Sequence, residues 1–120
     1  DEVLKKLVSS ISEVIRADTD WLARYGGEEF LIVLPETQLR NASGMAERLR
    51  KNIAKNAIET QEHKIPITAS FGVTGFNSAI PPKNITSDAL IHLADKYLYA
   101  AKNQGRNQVV SGAFRGSDAS

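Results

Sequence analysis

The segment Arg24-Tyr25-Gly26-Gly27-Glu28-Glu29-Phe30 holds the residues best suited to chemistry. Two adjacent glycines let a backbone bend sharply and let a ligand come close, because no Cβ stands in the way. Two carboxylates follow at once. Successive side chains on a strand point to opposite faces, so Glu28 and Glu29 cannot serve one site in the same way. One of them can face a metal and a nucleotide while the other makes a structural contact. On pattern alone, the same residues also describe a tight hairpin with a solvated acidic turn. A second cluster lies near the other end of the chain. Lys102 and Arg106 are four apart, on one face at the end of a helix. Both side chains suit the binding of phosphate, and both equally suit a helix C-terminus, where cations are favoured. His63 and His92 show no metal-ligand spacing and read as a loop residue and a helix surface residue.

The elements that must position these groups can be read from periodicity. Val3, Leu4, Leu7, Val8, Ile11, Val14 and Ile15 recur at helical spacing, which predicts an amphipathic helix from Glu2 to Arg16. Trp21 to Tyr25 and Glu29 to Leu34 predict two strands of a hairpin with the glycine pair near its tip. The unbroken run Phe30-Leu31-Ile32-Val33-Leu34 suits a strand covered on both faces, and Pro35 ends it. Leu39, Ala42, Ala46, Leu49 and Ile53 mark a second helix from Gln38 to Asn56. Residues 60–64 read as a polar loop, and Ile65 to Phe76 alternates as a strand. Asn77 to Ile85, with Pro81-Pro82, is a loop. Ser87 is a candidate N-cap for a third helix, with Asp88 in its first turn and Gly105 closing it. Its buried stripe is Leu90, Ile91, Ala94, Tyr97, Leu98 and Ala101, with Tyr99 at the rim. Trp21 and Tyr25 read as packing residues on their strand. Asn107 to Val110 is a short last strand, and the tail from Ser111 is small and polar and expected to fray. Helix, strand, strand, helix, strand, helix, strand is the order of an α/β sandwich with a central sheet.

Bulk properties bound what this unit does. With 120 residues, 42% of them hydrophobic and 24% charged, the sequence describes one domain with an ordinary core. A net charge of +1 gives no support to general nucleic-acid binding. It leaves room for a phosphate pocket built from two or three basic residues. The absence of cysteine excludes a disulfide framework and a thiolate zinc site. No apolar run is long enough to span a bilayer, and no signal peptide opens the chain. The start at Asp1-Glu2, without an initiating Met, is read as that of a fragment of a larger protein.

Four blocks, in order and spanning nearly the whole chain, resemble the diguanylate cyclase (GGDEF) family. RYGGEEF is similar to the GG[D/E]EF motif that names the family. Asp1-Glu2-Val3-Leu4 resembles the start of its second helix, Ile67-Thr68-Ala69-Ser70-Phe71-Gly72-Val73 a later strand, and Ala94 to Lys102 with Gly105-Arg106-Asn107 its ending. The resemblance implies a sandwich like that of adenylyl cyclases and polymerase palms, with residues 1–110 forming a partial catalytic domain and 111–120 a flexible tail. It implies joining of two GTP molecules into cyclic di-GMP with release of two pyrophosphates, in the cytoplasm, by a homodimer under the control of an upstream sensory or receiver domain. It carries Mg²⁺ coordination and deprotonation of the 3′-hydroxyl onto Glu28, and a supporting carboxylate onto Glu29. Gly27 is carried over as the residue packed against the nucleotide. Lys102 and Arg106 are carried over as the grip on its terminal phosphates, and Asp1 as the reader of guanine.

The match departs from the family in two places. The family's strand before the first helix is absent from this sequence. That strand is expected to supply an Asp sharing the metal with Glu28, a Lys near the phosphates and an Asn that reads guanine. The chain by itself is therefore expected to be inactive. The family's RxxD product-inhibition segment is also imperfect. Arg16 stands one residue too far from Asp20, and counted back from Gly26 the Arg position holds Ala17. The segment reads as a polar helix end with a cap-like Asp. A GGDEF-like module that binds GTP or cyclic di-GMP without turnover is the alternative reading.

Overall fold

The computed structural model describes residues 2–55, 58–59 and 64–116. Asp1 and His63 lie outside the described residues. Helix α1, Glu2–Val14, buries Ile11. It stops short of the expected Arg16 because the Arg16 amide donates to the Asp20 carboxylate at 2.8 Å instead of continuing the helical ladder. Strands β1, Trp21–Gly26, and β2, Glu29–Val33, form the expected antiparallel hairpin. Leu22 pairs with Ile32, Arg24 with Phe30 and Gly26 with Glu29, and the register shifts between Arg24 and Gly26. That shift is a bulge, which adds local twist at the tip.

Helix α2, Leu39–Lys55, buries Ala46, Leu49 and Ile53 against α1 and the strands that follow. A two-residue antiparallel pair, β3 (Ile58–Glu59) and β4 (Lys64–Ile65), comes next. Pairs this short carry no readable alternation, and the sequence did not announce them. The long expected strand from Ile65 to Phe76 resolves into β4, an irregular stretch and β5, Phe71–Gly75. Two local features interrupt it. Pro66 has no N–H to offer a ladder, and the Ser70 hydroxyl accepts a bond from the Asn107 amide at 3.0 Å.

Strand β5 runs parallel to β6, Val109–Ala113, and helix α3, Ser87–Asn103, makes the crossover between them. Parallel neighbours require such a connection. The N-cap of α3 is Thr86, not Ser87: its hydroxyl accepts from the Ala89 amide at 3.0 Å. The last strand also runs further than Val110. Its ladder with β5 continues to Ala113, Phe114 is buried, and the Phe114 amide donates to the Gly75 carbonyl at 2.8 Å. Helix α3 lies so close on β5 that a Cβ at Gly72 would collide with the Ala94 carbonyl and the backbone of Leu98.

The fold is α/β with small sheets flanked by helices, as the alternation of elements predicts. Among the described residues the strands pair two by two, β1 with β2, β3 with β4 and β5 with β6, and no continuous sheet joins them. No described helix is long and apolar enough to cross a membrane.

Candidate functional site

The hairpin presents its tip without burying it. Gly26, Gly27 and Glu28 are exposed, and a Cβ at either glycine would meet nothing within 4 Å. Gly27 has φ +53°, a left-handed turn position that favours glycine. The Arg24 guanidinium donates to the Gly27 carbonyl at 2.8 and 3.1 Å, which fixes the turn. Glu28 lies in the turn itself and Glu29 begins β2, half-buried opposite Gly26. The two carboxylates thus belong to different parts of the hairpin, one to its turn and one to its second strand.

Leu22, Arg24 and Phe30, from one face of the hairpin, join Leu4, Lys5, Val8 and Ser9 of α1 around an open cleft of about 560 Å³. That volume is in the range of small-ligand sites, and its walls are mainly apolar. The sequence carried a signal for it that went unused. Leu4 and Val8 are one turn apart on the apolar stripe of α1, yet Val8 remains exposed.

The basic pair sits elsewhere. Lys102 is half-buried in the last turn of α3, and Arg106 is exposed in the loop after it. Neither side chain bonds another described residue. Arg106 has φ +64°, an unusual conformation for a residue with a Cβ. Among the described elements, the hairpin makes no broad contact with α3, β5 or β6. The hairpin that presents Glu28 and the helix that carries Lys102 are thus elements without a broad shared contact.

The profile of the family described as "Diguanylate cyclase, GGDEF domain" matches residues 1–108. The chain belongs to the GGDEF family. It is 41% identical over 113 residues to the probable diguanylate cyclase DgcT of Escherichia coli, covering 92% of this chain and 24% of that protein. Among solved structures, it is similar to the active GGEEF domain of a diguanylate cyclase from Vibrio cholerae. There the TM-score is 0.77 at 32% identity, over 92% of this chain and 67% of the other. The GGDEF domain of DgcB from Caulobacter crescentus, solved in complex with c-di-GMP, gives a TM-score of 0.79 at 26% identity, over 91% of this chain and 62% of the other. The chain spans about a quarter of the length of the curated relatives it matches, 28% and 24% for two of them.

In this GGDEF domain the root of the hairpin is tied down by one arginine. Arg16 donates to both Asp20 carboxylate oxygens, from Nη2 at 2.7 Å and from Nε at 3.1 and 3.0 Å. Its Nη2 also donates to the Pro35 carbonyl at 2.8 Å and to Thr37 Oγ1 at 2.9 Å. One side chain thus joins the entry of β1 to the exit of β2. The bonds from Arg16 hold the buried Asp20 carboxyl below the usual carboxylate range, against the opposing effect of burial. Arg16 and Asp20, the residues of the imperfect RxxD segment, are engaged with each other.

No group of three or more His, Cys, Asp and Glu residues that could hold a metal occurs among the described residues. Mg²⁺ is usually held by one or two carboxylates together with substrate phosphates. Glu28, an exposed hard oxygen donor in a turn, fits as one such ligand, and the described residues add no companion cluster.

Proposed function

We propose that this domain is the catalytic unit of a diguanylate cyclase, condensing two GTP into cyclic di-GMP and two pyrophosphates. The observation that carries the reading is the intact hairpin tip. Its glycines and Glu28 satisfy no internal packing need, yet the turn is held in one conformation by Arg24. Residues that the fold does not require, presented on a fixed frame, are what a ligand site needs.

Each protomer takes one GTP. The 3′-oxygen of one nucleotide forms a bond to the α-phosphorus of the other, the bond from that phosphorus to the bridging oxygen breaks, and pyrophosphate leaves. Two such transfers close the ring, which requires two protomers face to face. Glu28 accepts the 3′-hydroxyl proton, directly or through water, and Glu29 supports it. Glu28, together with the phosphates, would hold Mg²⁺, which would supply charge neutralisation at the transferring group. The open backbone at Gly27 lets the nucleotide lie against the turn. Lys102 and Arg106 hold the terminal phosphates. The α1–hairpin cleft offers apolar walls to the base. Asp1, three residues before Leu4, accepts from the guanine N1–H and amino group, a pattern adenine does not offer. An upstream sensory or receiver domain controls pairing of the protomers, and the domain works on the cytoplasmic side, where the product acts.

A second reading is a receptor that binds GTP or cyclic di-GMP without turnover, in keeping with the lack of broad contact between the hairpin and α3. A mass-resolved GTP turnover assay with Mg²⁺ decides between the two. It is run on this chain and on a form extended upstream by one strand and its loop. Cyclic di-GMP from the extended form supports the cyclase. Binding of GTP or cyclic di-GMP by both forms, with turnover by neither, supports the receptor.

A further inference from the structure

The loop that follows α3 holds three successive residues at positive φ: Gly105 at +117°, Arg106 at +64° and Asn107 at +49°. Glycine accepts this region freely, whereas the Cβ atoms of Arg106 and Asn107 disfavour it. Strain of this kind persists only where the surroundings over-determine it, and it gathers at functional sites.

Three elements fasten the loop. The Arg106 amide donates to the Ala101 carbonyl at 3.0 Å, at the end of α3. The Asn107 amide donates to Ser70 Oγ at 3.0 Å, just before β5. From α2, Arg50 Nη1 donates to Asn107 Oδ1 at 3.0 Å and reaches its carbonyl oxygen at 3.4 Å. Arg50 is itself seated by Glu47, whose carboxylate accepts from Nε at 3.1 and 3.0 Å and also from Nη2. The Arg50 side chain is only 18% exposed, so a largely covered guanidinium is committed to an exposed loop. By contrast, the side chains of Lys102 and Arg106 bond no other described residue.

We propose that Arg50 is a positioning residue, holding Asn107 and with it the left-handed turn that sets Arg106 beside Lys102 to receive the terminal phosphates of a nucleoside triphosphate. The inference rests on the phosphate role given above to Lys102 and Arg106. Arg50 touches no ligand, and its effect passes through the conformation of the loop. If Arg50 instead served only to fasten α2, its loss would lower stability without changing how GTP is held.

The test is a cycle in the full-length protein, reading the dissociation constant for GTP by calorimetry and, where there is turnover, kcat. Arg50→Ala is expected to weaken GTP binding about tenfold, the scale of one lost hydrogen bond to a charged group, with kcat at saturation changing much less. Arg106→Ala weakens binding at least as much, and the double variant is no worse than Arg106→Ala alone. Asn107→Gly, added to Arg50→Ala, restores most of the affinity, because glycine keeps the turn without help. A merely structural Arg50 would show no such rescue. Unchanged GTP affinity in Arg50→Ala, or a loss that adds in full to that of Arg106→Ala, overturns the inference while leaving the phosphate role standing. Unchanged affinity in Arg106→Ala removes the phosphate role and this inference with it. If Arg50→Ala does not fold, Arg50→Lys, which lacks the planar fork that meets Glu47 and Asn107 from separate nitrogens, takes its place in the same cycle.

Discussion

Glycine does opposite work in the β1–β2 hairpin and in the β5–α3–β6 unit. At Gly27 an added Cβ would meet nothing within 4 Å, and the residue serves the left-handed turn. At Gly72 there is no space at all, because the backbone of α3 occupies the place a Cβ would take. The difference extends to the rest of each region. The β5–α3–β6 unit is fixed by burial and by a ladder that runs from Phe71 with Val109 to Gly75 with Ala113. The hairpin, beyond its own ladder, is fixed by polar ties at its two ends, Arg24 at the tip and Arg16 at the root. One region is held mainly by packing, the other by a few directed bonds that leave its tip bare.

The widest separation is expected from paired substitutions. Gly72→Val should destabilise the domain by about 3 kcal/mol or more, since neither side of the contact is a flexible side chain that can move aside. Gly27→Ala should cost only about 1 kcal/mol, from the left-handed backbone. Urea midpoints measure both, and equal losses would erase the distinction drawn between the two regions. Next in size, Glu28→Gln should lower cyclisation by about 100-fold or more, the scale on which one charge-handling group acts, while the melting temperature stays put. A retained rate would remove Glu28 from the chemistry. Lys102→Ala, on the other unit, should raise the GTP requirement about tenfold, as one charge-assisted bond does. No change in apparent affinity would take Lys102 out of the phosphate site.

The smallest effect concerns acid. Bonds from Arg16 lower the Asp20 pKa in the folded state, so Asp20 adds stability above its unfolded value of about 3.9, and that part is lost as pH falls through the lower folded value. Melting temperatures between about pH 5 and pH 2 should fall more steeply for the native chain than for Asp20→Asn. Parallel curves would mean that the clasp at the hairpin root contributes nothing to the acid limb.

Strong local signals made much of this visible in advance. The hairpin, α2 and α3 stand where periodicity and the glycine pair put them, and the family follows from motifs along most of the chain. The boundaries that moved were those decided by single polar side chains. Asp20 captured the amide that would have extended α1, Thr86 rather than Ser87 capped α3, and the Ser70 hydroxyl took an amide from the loop after α3. Phe114 lies in a small, polar tail by composition, and its burial depends on β6 lying alongside β5.

The sequence by itself determined the residue types at the site, their order, and the family to which they belong, because these are properties of neighbours along the chain. Only the tertiary structure decided that Glu28 is bare at a fixed tip while Glu29 is half-buried beside it. It alone joined Arg50 on α2 to Asn107, and Arg16 to both ends of the hairpin. Such contacts bring together residues 57 and 19 positions apart, and chain closure at that range leaves no trace in local periodicity.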